Sequence, residues 1–362
     1  MPTVLVAGSG LIGSAIGQIL AQPNTGYSVI LVDLDAQPRH PIVLHSSLSY
    51  RSIDIQNKSQ VAAVIREYGV EAVISSLPYF LNLGVAEMAK ALKLHYFDLT
   101  EDVNTTAAIA QLADGAETAF VPQCGVAPGF INIVAHDLMK HFRELDTVKL
   151  RCGALPQQTT NALQYALTWS IDGLINEYGN LCQAIVNGQS VMLPPLSDLE
   201  PVQLDGGHYE AFNTSGGLGT LLAEYAGKIR HLNYKTLRYP GHCEKMLFLM
   251  NDLKLNEDRN TLRQILLTAL PHTQQDVVIV DVAVEGYKNI ELFQESYSNK
   301  FYPATLDGQQ FTAIQLVTAC SACAAVDLVL QNPQKYLGFI HQFQFNLDEF
   351  LDNRFGEYLH RR

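Results

Sequence analysis

The feature that most narrows what this chain can become lies in its first 33 residues. An apolar run at 3–7 leads into Gly8-Ser9-Gly10-Leu11-Ile12-Gly13. An amphipathic stretch follows at 11–21, and a second apolar run at 28–32 ends on Asp33. Strand, glycine-rich loop, helix, strand and terminal acid, in that order, form the dinucleotide-binding fingerprint. Each position has a physical task. Gly8 permits the tight turn, Gly10 lets a pyrophosphate approach the backbone, and Gly13 lets the helix lie close to the sheet. The unpaired amides around Ser9, Leu11 and Ile12 at the helix start carry partial positive charge suited to phosphates. Asp33 accepts hydrogen bonds from ribose hydroxyls and repels a 2′-phosphate, so NAD is expected over NADP. Arg39 lies nearby in sequence and offers the opposite charge for NADP.

The same alternation continues to about residue 125. Apolar runs at 72–75, 95–98 and 119–122 read as further buried strands, with helical patterns at 59–68, 83–92 and 104–113. Strands alternating with helices predict a doubly wound parallel sheet with right-handed crossovers. The pattern then changes. Runs at 148–153, 164–169, 202–204, 235–239 and 277–284 read as strands separated by longer segments, with helices at 171–184, 243–253 and 260–269. Val278, Val280, Val282 and Val284 alternate with Asp281 and Glu285 nearby, as in a half-exposed antiparallel sheet. We therefore expect an α/β protein: a Rossmann domain over 1–126, rejoined by helices at about 310–345, and an α+β mixed-sheet domain over 127–309. A C-terminal tail, 346–362, completes the chain, and 339–362 has the spacing of an amphipathic helix.

Composition excludes several classes. With 24 Lys and Arg against 36 Asp and Glu, the net charge is -12, which disfavours nucleic acid as a partner. Six cysteines in 362 residues are too sparse for a disulfide scaffold. The apolar stretch 313–330 is interrupted by Gln315, Thr318, Ser321 and Asp327, so it reads as a buried helix and no membrane association is expected. The N-terminus enters a strand with no basic leader, and a cytoplasmic location is expected.

In an open parallel sheet, ligands sit outside the carboxyl ends of the strands. Three loops qualify. Ser75, Ser76, Leu77, Pro78 and Tyr79 form the first; the small serines suit close approach of the cofactor. Asp98, Glu101 and Asp102 fall in the second, an acidic cluster suited to a cationic amine and able to supply a general base. Asp102 also fits a helix cap for the stretch beginning near Asn104. The third loop runs from Gln123 to Gly129.

The segments LPY at 77–79, DLTEDV at 98–103, CGVAPG at 124–129, CGALP at 152–156, TWS at 168–170 and RYPGH at 238–242 follow one another in a familiar order. With them the chain resembles the saccharopine dehydrogenase family over about 1–330, and within it the lysine 6-dehydrogenase-like branch. The resemblance implies nicotinamide-dependent oxidation of a carbon–nitrogen bond in a lysine-derived amino acid. It also implies a substrate-binding second domain whose sheet makes a homodimer contact. It places Tyr79 near the active site, Cys152 on the cysteine of the C-G-x-L-P segment, and Arg238 as the candidate for a substrate carboxylate. Saccharopine-forming relatives carry an acid before the Pro-Gly pair, where this chain has Ala127. That departure counts against saccharopine itself as substrate.

The chemistry requires a base for the amine, a held nicotinamide, and water attack on an imine. Candidates for the base are His242, Asp98 and Glu101, with Tyr79 as a hydrogen-bonding partner. For His242 the alternative is a histidine on a surface turn after Gly241. Arg238 suits a bidentate carboxylate. Trp169, the one tryptophan, fits either an aliphatic substrate chain or a core anchor. Cys124 and Cys152 show no activating partner in sequence, which argues for packing. Cys320 and Cys323 lack a second pair for a metal and sit in an apolar helix, and His136 and His141 are off a common helical face, so no metal is expected. Three functional readings follow: an amino-acid dehydrogenase with NAD, with carboxynorspermidine-type amine chemistry as its variant; an NAD-binding sensor without chemistry; and a thiol-dependent acyl transferase.

Overall fold

The computed structural model describes residues 1–360 and divides into two compact units. Unit 1 comprises Met1–Phe130, Asp307–Gln309 and Gln315–Arg362; unit 2 comprises Ile131–Leu306 and Gln310–Ile314.

Unit 1 is built on a wholly parallel seven-stranded sheet. Its strands are β1 (Thr3–Ala7), β2 (Ser28–Asp33), β3 (Leu48–Ser52), β4 (Val70–Ser75), β5 (His95–Asp98), β6 (Ala119–Val121) and, far along the chain, β17 (Gly338–Phe339). The spatial order is β17-β6-β5-β4-β1-β2-β3. The order reverses between β1 and β4, which opens a crevice at their carboxyl ends. The helices are α1 (Leu11–Leu20), α2 (Lys58–Tyr68), α3 (Tyr79–Leu92) and α4 (Val103–Leu112). Apolar residues of α2, α3 and α4, among them Val61, Ile65, Val85, Ala89 and Ile109, pack with Leu5, Ile30, Val73 and Phe120 into one core. The long apolar helix α10 (Ala313–Gln331) lies beside α1: Gln315 donates to the Leu11 carbonyl at 3.2 Å, and the Cys323 thiol sits 3.9 Å from the Ile16 carbonyl. Its length and hydropathy match a membrane span, but most of its surface is buried inside the protein.

The segment after 338 departs from the expected amphipathic helix. Gly338 and Ile340 complete β17 on the open edge of β6, donating to the Thr118 and Phe120 carbonyls. Asn346 and Asn353 then bond their own backbone, Asn346 accepting from the Glu349 amide and Asn353 from the Phe355 amide. Such local bonds compete with a continuous helix, and only α11 (Leu347–Leu351) forms with short turns around it. Phe350, Phe355 and Leu359 are buried, so 346–359 belongs to the core of unit 1 and is no appended tail.

Unit 2 begins within α5 (Phe130–Met139) and carries an eight-stranded mixed sheet. The strands are β7 (Glu144–Pro156), β8 (Cys182–Val186), β9 (Gln189–Leu193), β10 (Glu200–Leu204), β11 (Gly207–Asn213), β12 (Ile229–Arg238), β13 (Asp276–Tyr287) and β14 (Leu292–Phe301). The main path is β10-β11-β12-β7-β13-β14, with β8 and β9 added beside β12. Only β12 and β7 run parallel; the other pairs are antiparallel. The valines of β13 alternate as expected: Val278, Val280, Val282 and Val284 are fully buried. Helices α6 (Ile171–Gly179), α8 (His242–Leu247) and α9 (Arg259–Ala269) contribute Leu174, Tyr178, Met246, Leu262 and Leu266 to a core with Tyr165 and Phe212.

Two assignments in unit 2 change. Residues 164–169 form no strand. Gln164 has φ +51°, the Asn161 amide group bonds the Tyr165 carbonyl at 2.7 Å, and Leu167 touches the neighbouring backbone only as an isolated bridge to His272. The helix from 171 stops at Gly179 because 182–186 enters the sheet as β8.

Candidate active site

The glycine loop follows β1, and residues 76–78 follow β4 directly beside it. Gly8 takes φ +101°, and a Cβ there would stand 2.8 Å from the Ser76 carbonyl oxygen. A Cβ on Gly13 would strike the Gly8 carbonyl and lie 3.2 Å from the Ser76 Cβ. Both glycines, and the smallness of Ser76, are thus demanded by packing within the protein. Gly10 differs: a Cβ there would meet nothing within 4 Å. Its missing side chain leaves open space at the start of α1, where no side chain caps the first-turn amides. That pairing of an open cradle with uncapped amides fits a pyrophosphate.

Asp33 ends β2 beside this loop. One of its oxygens accepts from the Ser9 amide at 2.7 Å and the Ser9 hydroxyl at 2.8 Å; the other accepts from the Leu34 amide at 2.7 Å. Burial alone would raise its pKa. The Ser9 and Leu34 donors, with the Arg39 guanidinium 3.5 Å away, outweigh that and hold the carboxyl below its usual range. The Arg39 amide also donates to the Ser9 hydroxyl at 3.0 Å, and His40 to the Ser9 carbonyl at 3.1 Å. The acid, the arginine and the glycine loop are therefore one hydrogen-bonded unit. Ser75, in contrast, turns its hydroxyl to Asn82 at 2.7 Å, which anchors α3, and Pro78 is the residue before that helix. Leu77 packs on Gly8. Tyr79 is the first residue of α3, partly buried, with its ring edge-on to Phe80.

The expected acidic cluster is resolved into separate roles. Asp98 is 0% exposed. Its carboxylate accepts from the Tyr96 hydroxyl at 2.7 Å, the Thr100 amide at 2.9 Å and the Gln123 amide at 3.0 Å. Burial pushes its pKa up to about 6 against those donors. It braces the loops after β5 and β6 and, with no exposed surface, is closed off from a substrate. Asp102 caps α4, accepting from the Thr105 amide at 2.7 Å. Glu101 stays on the loop, partly exposed.

In unit 2, Tyr234, Thr236 and Arg238 alternate along β12 and so share one face. Cys152 of β7 stands opposite Thr236, on the same face. Burial pushes the Cys152 thiol up to about 12, so it is no thiolate at neutral pH. Cys124 is likewise buried and raised, which removes the support for a thiol acyl transferase. Trp169 is half-buried: its ring lies against Gly173 of α6, and its indole N–H donates to the Tyr165 hydroxyl at 3.1 Å.

Arg238 is 2% exposed. Its Nε donates to the Tyr178 hydroxyl at 2.8 Å, and its Nη1 to the Thr236 hydroxyl and the Leu237 carbonyl, both at 2.7 Å. None of these acceptors is an anion. The guanidinium lies over the rings of Tyr165, at 5.0 Å, and Tyr178, at 5.7 Å. Burial opposes its charge, but Tyr178, Tyr165 and Glu177 outweigh that and keep its pKa raised.

His242 is no surface turn residue. It is 1% exposed, at the first position of α8. Its Nδ1 is 2.8 Å from the Leu163 carbonyl and its Nε2 is 3.1 Å from the Tyr178 hydroxyl. Burial first, then Arg238, push its pKa down to about 3. Both ring nitrogens are engaged within the protein. Tyr165, Tyr178 and Thr236 were not singled out from sequence. Signals existed: Tyr178 closes the E-Y pair after TWS, and Thr236 sits two residues before Arg238 on one strand.

A parallel sheet with an open glycine cradle at its order reversal is the architecture of a dinucleotide-binding unit, and the family models that the chain matches make the class an NAD(P)-binding oxidoreductase. Residues 4–121 match the family model for the saccharopine dehydrogenase NADP binding domain, and 125–352 match that for the saccharopine dehydrogenase C-terminal domain. The chain belongs to the saccharopine dehydrogenase family. Among solved structures it is similar in fold to apo saccharopine dehydrogenase (L-Glu forming) from Saccharomyces cerevisiae. The TM-score is 0.74 at 16% identity, covering 97% of this chain and 96% of that one. It is also similar to homospermidine synthase from Legionella pneumophila in complex with NAD, with TM-score 0.69 at 10% identity, covering 100% and 90%.

Proposed function

We propose that this protein is an NAD-dependent dehydrogenase acting on a carbon–nitrogen bond of a lysine-derived amino acid. The observation that carries this reading is Arg238, a buried guanidinium whose protein acceptors are all neutral. Glu177, a buried acid nearby, supports this charge through space, and a substrate carboxylate would supply the direct, hydrogen-bonded anion that its neutral acceptors do not. Bound at the glycine loop, the nicotinamide dinucleotide would supply the oxidant that takes a hydride from the carbon bearing the amine.

The chain's own residues do the rest. Gly8, Gly10 and Gly13 shape the cradle, the first amides of α1 face the pyrophosphate, and Asp33 with Arg39 beside it reads the ribose. Asp33 favours NAD. Arg238 orients the amino acid by its carboxylate, with Cys152, Thr236 and Trp169 around it. Glu101, on the loop after β5 and partly exposed, is the residue proposed to take the amine's proton, with Tyr79 at the start of α3 as a hydrogen-bonding group. A second reading is supported by the likeness to homospermidine synthase: a polyamine-type amine such as carboxynorspermidine, whose carboxylate suits Arg238 equally. A turnover panel of lysine, saccharopine and carboxynorspermidine with NAD and NADP separates the two. Failure to bind either cofactor and to turn over any of the three would reject both.

A further inference from the structure

The hydrogen bonds around Arg238 have a fixed direction. A guanidinium Nε can only donate and a peptide carbonyl can only accept. Arg238 Nε meets the Tyr178 oxygen at 2.8 Å, the Tyr178 oxygen meets His242 Nε2 at 3.1 Å, and His242 Nδ1 meets the Leu163 carbonyl at 2.8 Å. Leu163 therefore requires the hydrogen on Nδ1. That leaves Nε2 of the neutral ring as an acceptor, and the Tyr178 hydroxyl must donate to it. The same hydroxyl oxygen then presents its lone pairs to Arg238. Three further groups hold this chain in place. Glu210 accepts from the Gly241 amide at 2.7 Å and the Cys243 amide at 2.6 Å, one on each side of His242. Phe212 stacks on the imidazole, and Tyr165 packs against it at 5.3 Å.

We propose that Tyr178 and His242 are positioning residues for Arg238, a one-way relay that fixes the guanidinium plane so that Nη2 is the edge offered to a carboxylate. Arg238 Nε is held by Tyr178 and Nη1 by Thr236 and Leu237, and among the described residues no acceptor meets Nη2. A guanidinium pinned on two of its three nitrogens and packed beside two tyrosine rings loses little freedom when it binds an anion. The inference rests on the reading of Arg238 as the carboxylate-binding residue.

The test uses the full chain with Tyr178→Phe, His242→Leu, His242→Gln and Arg238→Met, assayed with NAD and the amino acid turned over in the panel. Tyr178→Phe and His242→Leu are expected to raise KM for the amino acid about tenfold, the scale of one hydrogen bond to a charged group. KM for NAD should stay unchanged and kcat within about threefold, a split that general loosening of the fold would not give. His242→Gln, whose amide oxygen can accept the tyrosine proton, should recover most of the loss. Nitrogen-15 spectra of labelled histidine in the wild-type protein should show His242 as the Nδ1–H tautomer, unchanged between about pH 5 and 8. An Nε2–H tautomer, or an unchanged KM in Tyr178→Phe while Arg238→Met raises it, overturns the proposal. If Arg238→Met leaves KM unchanged, the carboxylate reading fails instead; the tautomer, read without substrate, still decides the direction of the relay.

Discussion

Ser9 gives both its backbone amide and its hydroxyl to the same oxygen of Asp33. The acid proposed to read the ribose is thereby tied to the loop proposed to cradle the pyrophosphate, and Arg39 is tied to the same serine.

Cofactor choice should consequently respond to both charges. Asp33→Ala is expected to weaken NAD by about tenfold or more and to narrow the preference over NADP, since the repulsion of a 2′-phosphate is gone. Arg39, 56% exposed, pairs with the exposed Asp35 at 2.6 Å and with Asp33 at 3.5 Å, and from the exposed side these pairs are worth less than about 1 kcal/mol to folding. Arg39→Ala should leave the melting temperature nearly unchanged while weakening NADP more than NAD. Calorimetric titration of both cofactors measures each change; equal losses for the two cofactors in Arg39→Ala would contradict the assignment.

Gly10 and Gly13 should part company on the same substitution. Gly13→Ala puts a Cβ into the Gly8 carbonyl, backbone that cannot swing aside, and should cost about 2–3 kcal/mol or more. Gly10→Ala meets no protein atom and should fold as well as the parent, yet lose cofactor affinity because the Cβ fills the cradle. Thermal melts with and without NAD distinguish them. Equal destabilisation in the absence of cofactor is the outcome that would count against this geometry.

Asp98 should give stability a pH dependence of unusual sign. Its folded pKa, about 6, lies above the ordinary carboxylate value. Between about pH 4 and 6 the native state keeps a proton that the unfolded chain has released, so this group's contribution falls as pH rises. Asp98→Asn carries no such proton. The stability of the parent minus that of the variant should fall by about 2 kcal/mol from about pH 4 to 7. Urea unfolding at both pH values reads this directly, and a constant or rising difference rejects it.

The C-terminal segment should matter to folding. Asp327, 1% exposed, accepts from Tyr27 at 2.7 Å, Asn353 at 2.7 Å and Gln331 at 2.9 Å, and pairs with Arg354. Arg354→Ala removes the cation from a buried carboxylate. It should cost about 2 kcal/mol, less than for a fully buried pair because Arg354 is 40% exposed. Adding Asp327→Asn should return part of that loss. A cost below about 0.5 kcal/mol in denaturant unfolding would show that the clasp is ornamental.

Much of unit 1 was legible because its signals are local. A short apolar run, three glycines at fixed spacing and an acid at a strand end each act within a few residues, and β1, α1 and β2 follow from them. β17 was invisible for the opposite reason: Gly338 and Phe339 become a strand only because β6 presents a free edge. The candidate site divides the same way. Arg238 was found through a motif, but its acceptors come from α6, β12 and the backbone beside it, brought together by the sheet of unit 2.

By itself the sequence determined the glycine loop, the acid at the end of β2, the parallel α/β unit and the family, because backbone conformation and hydrophobic period are read from neighbouring residues. Only the tertiary structure decided what the titratable groups do. Asp98 and His242 look alike to Glu101 as candidate bases on paper. Burial and hydrogen-bond partners drawn from distant elements move the pKa of Asp98 up and that of His242 down and close both off from solvent. Those are properties of the assembled surroundings and of no residue alone.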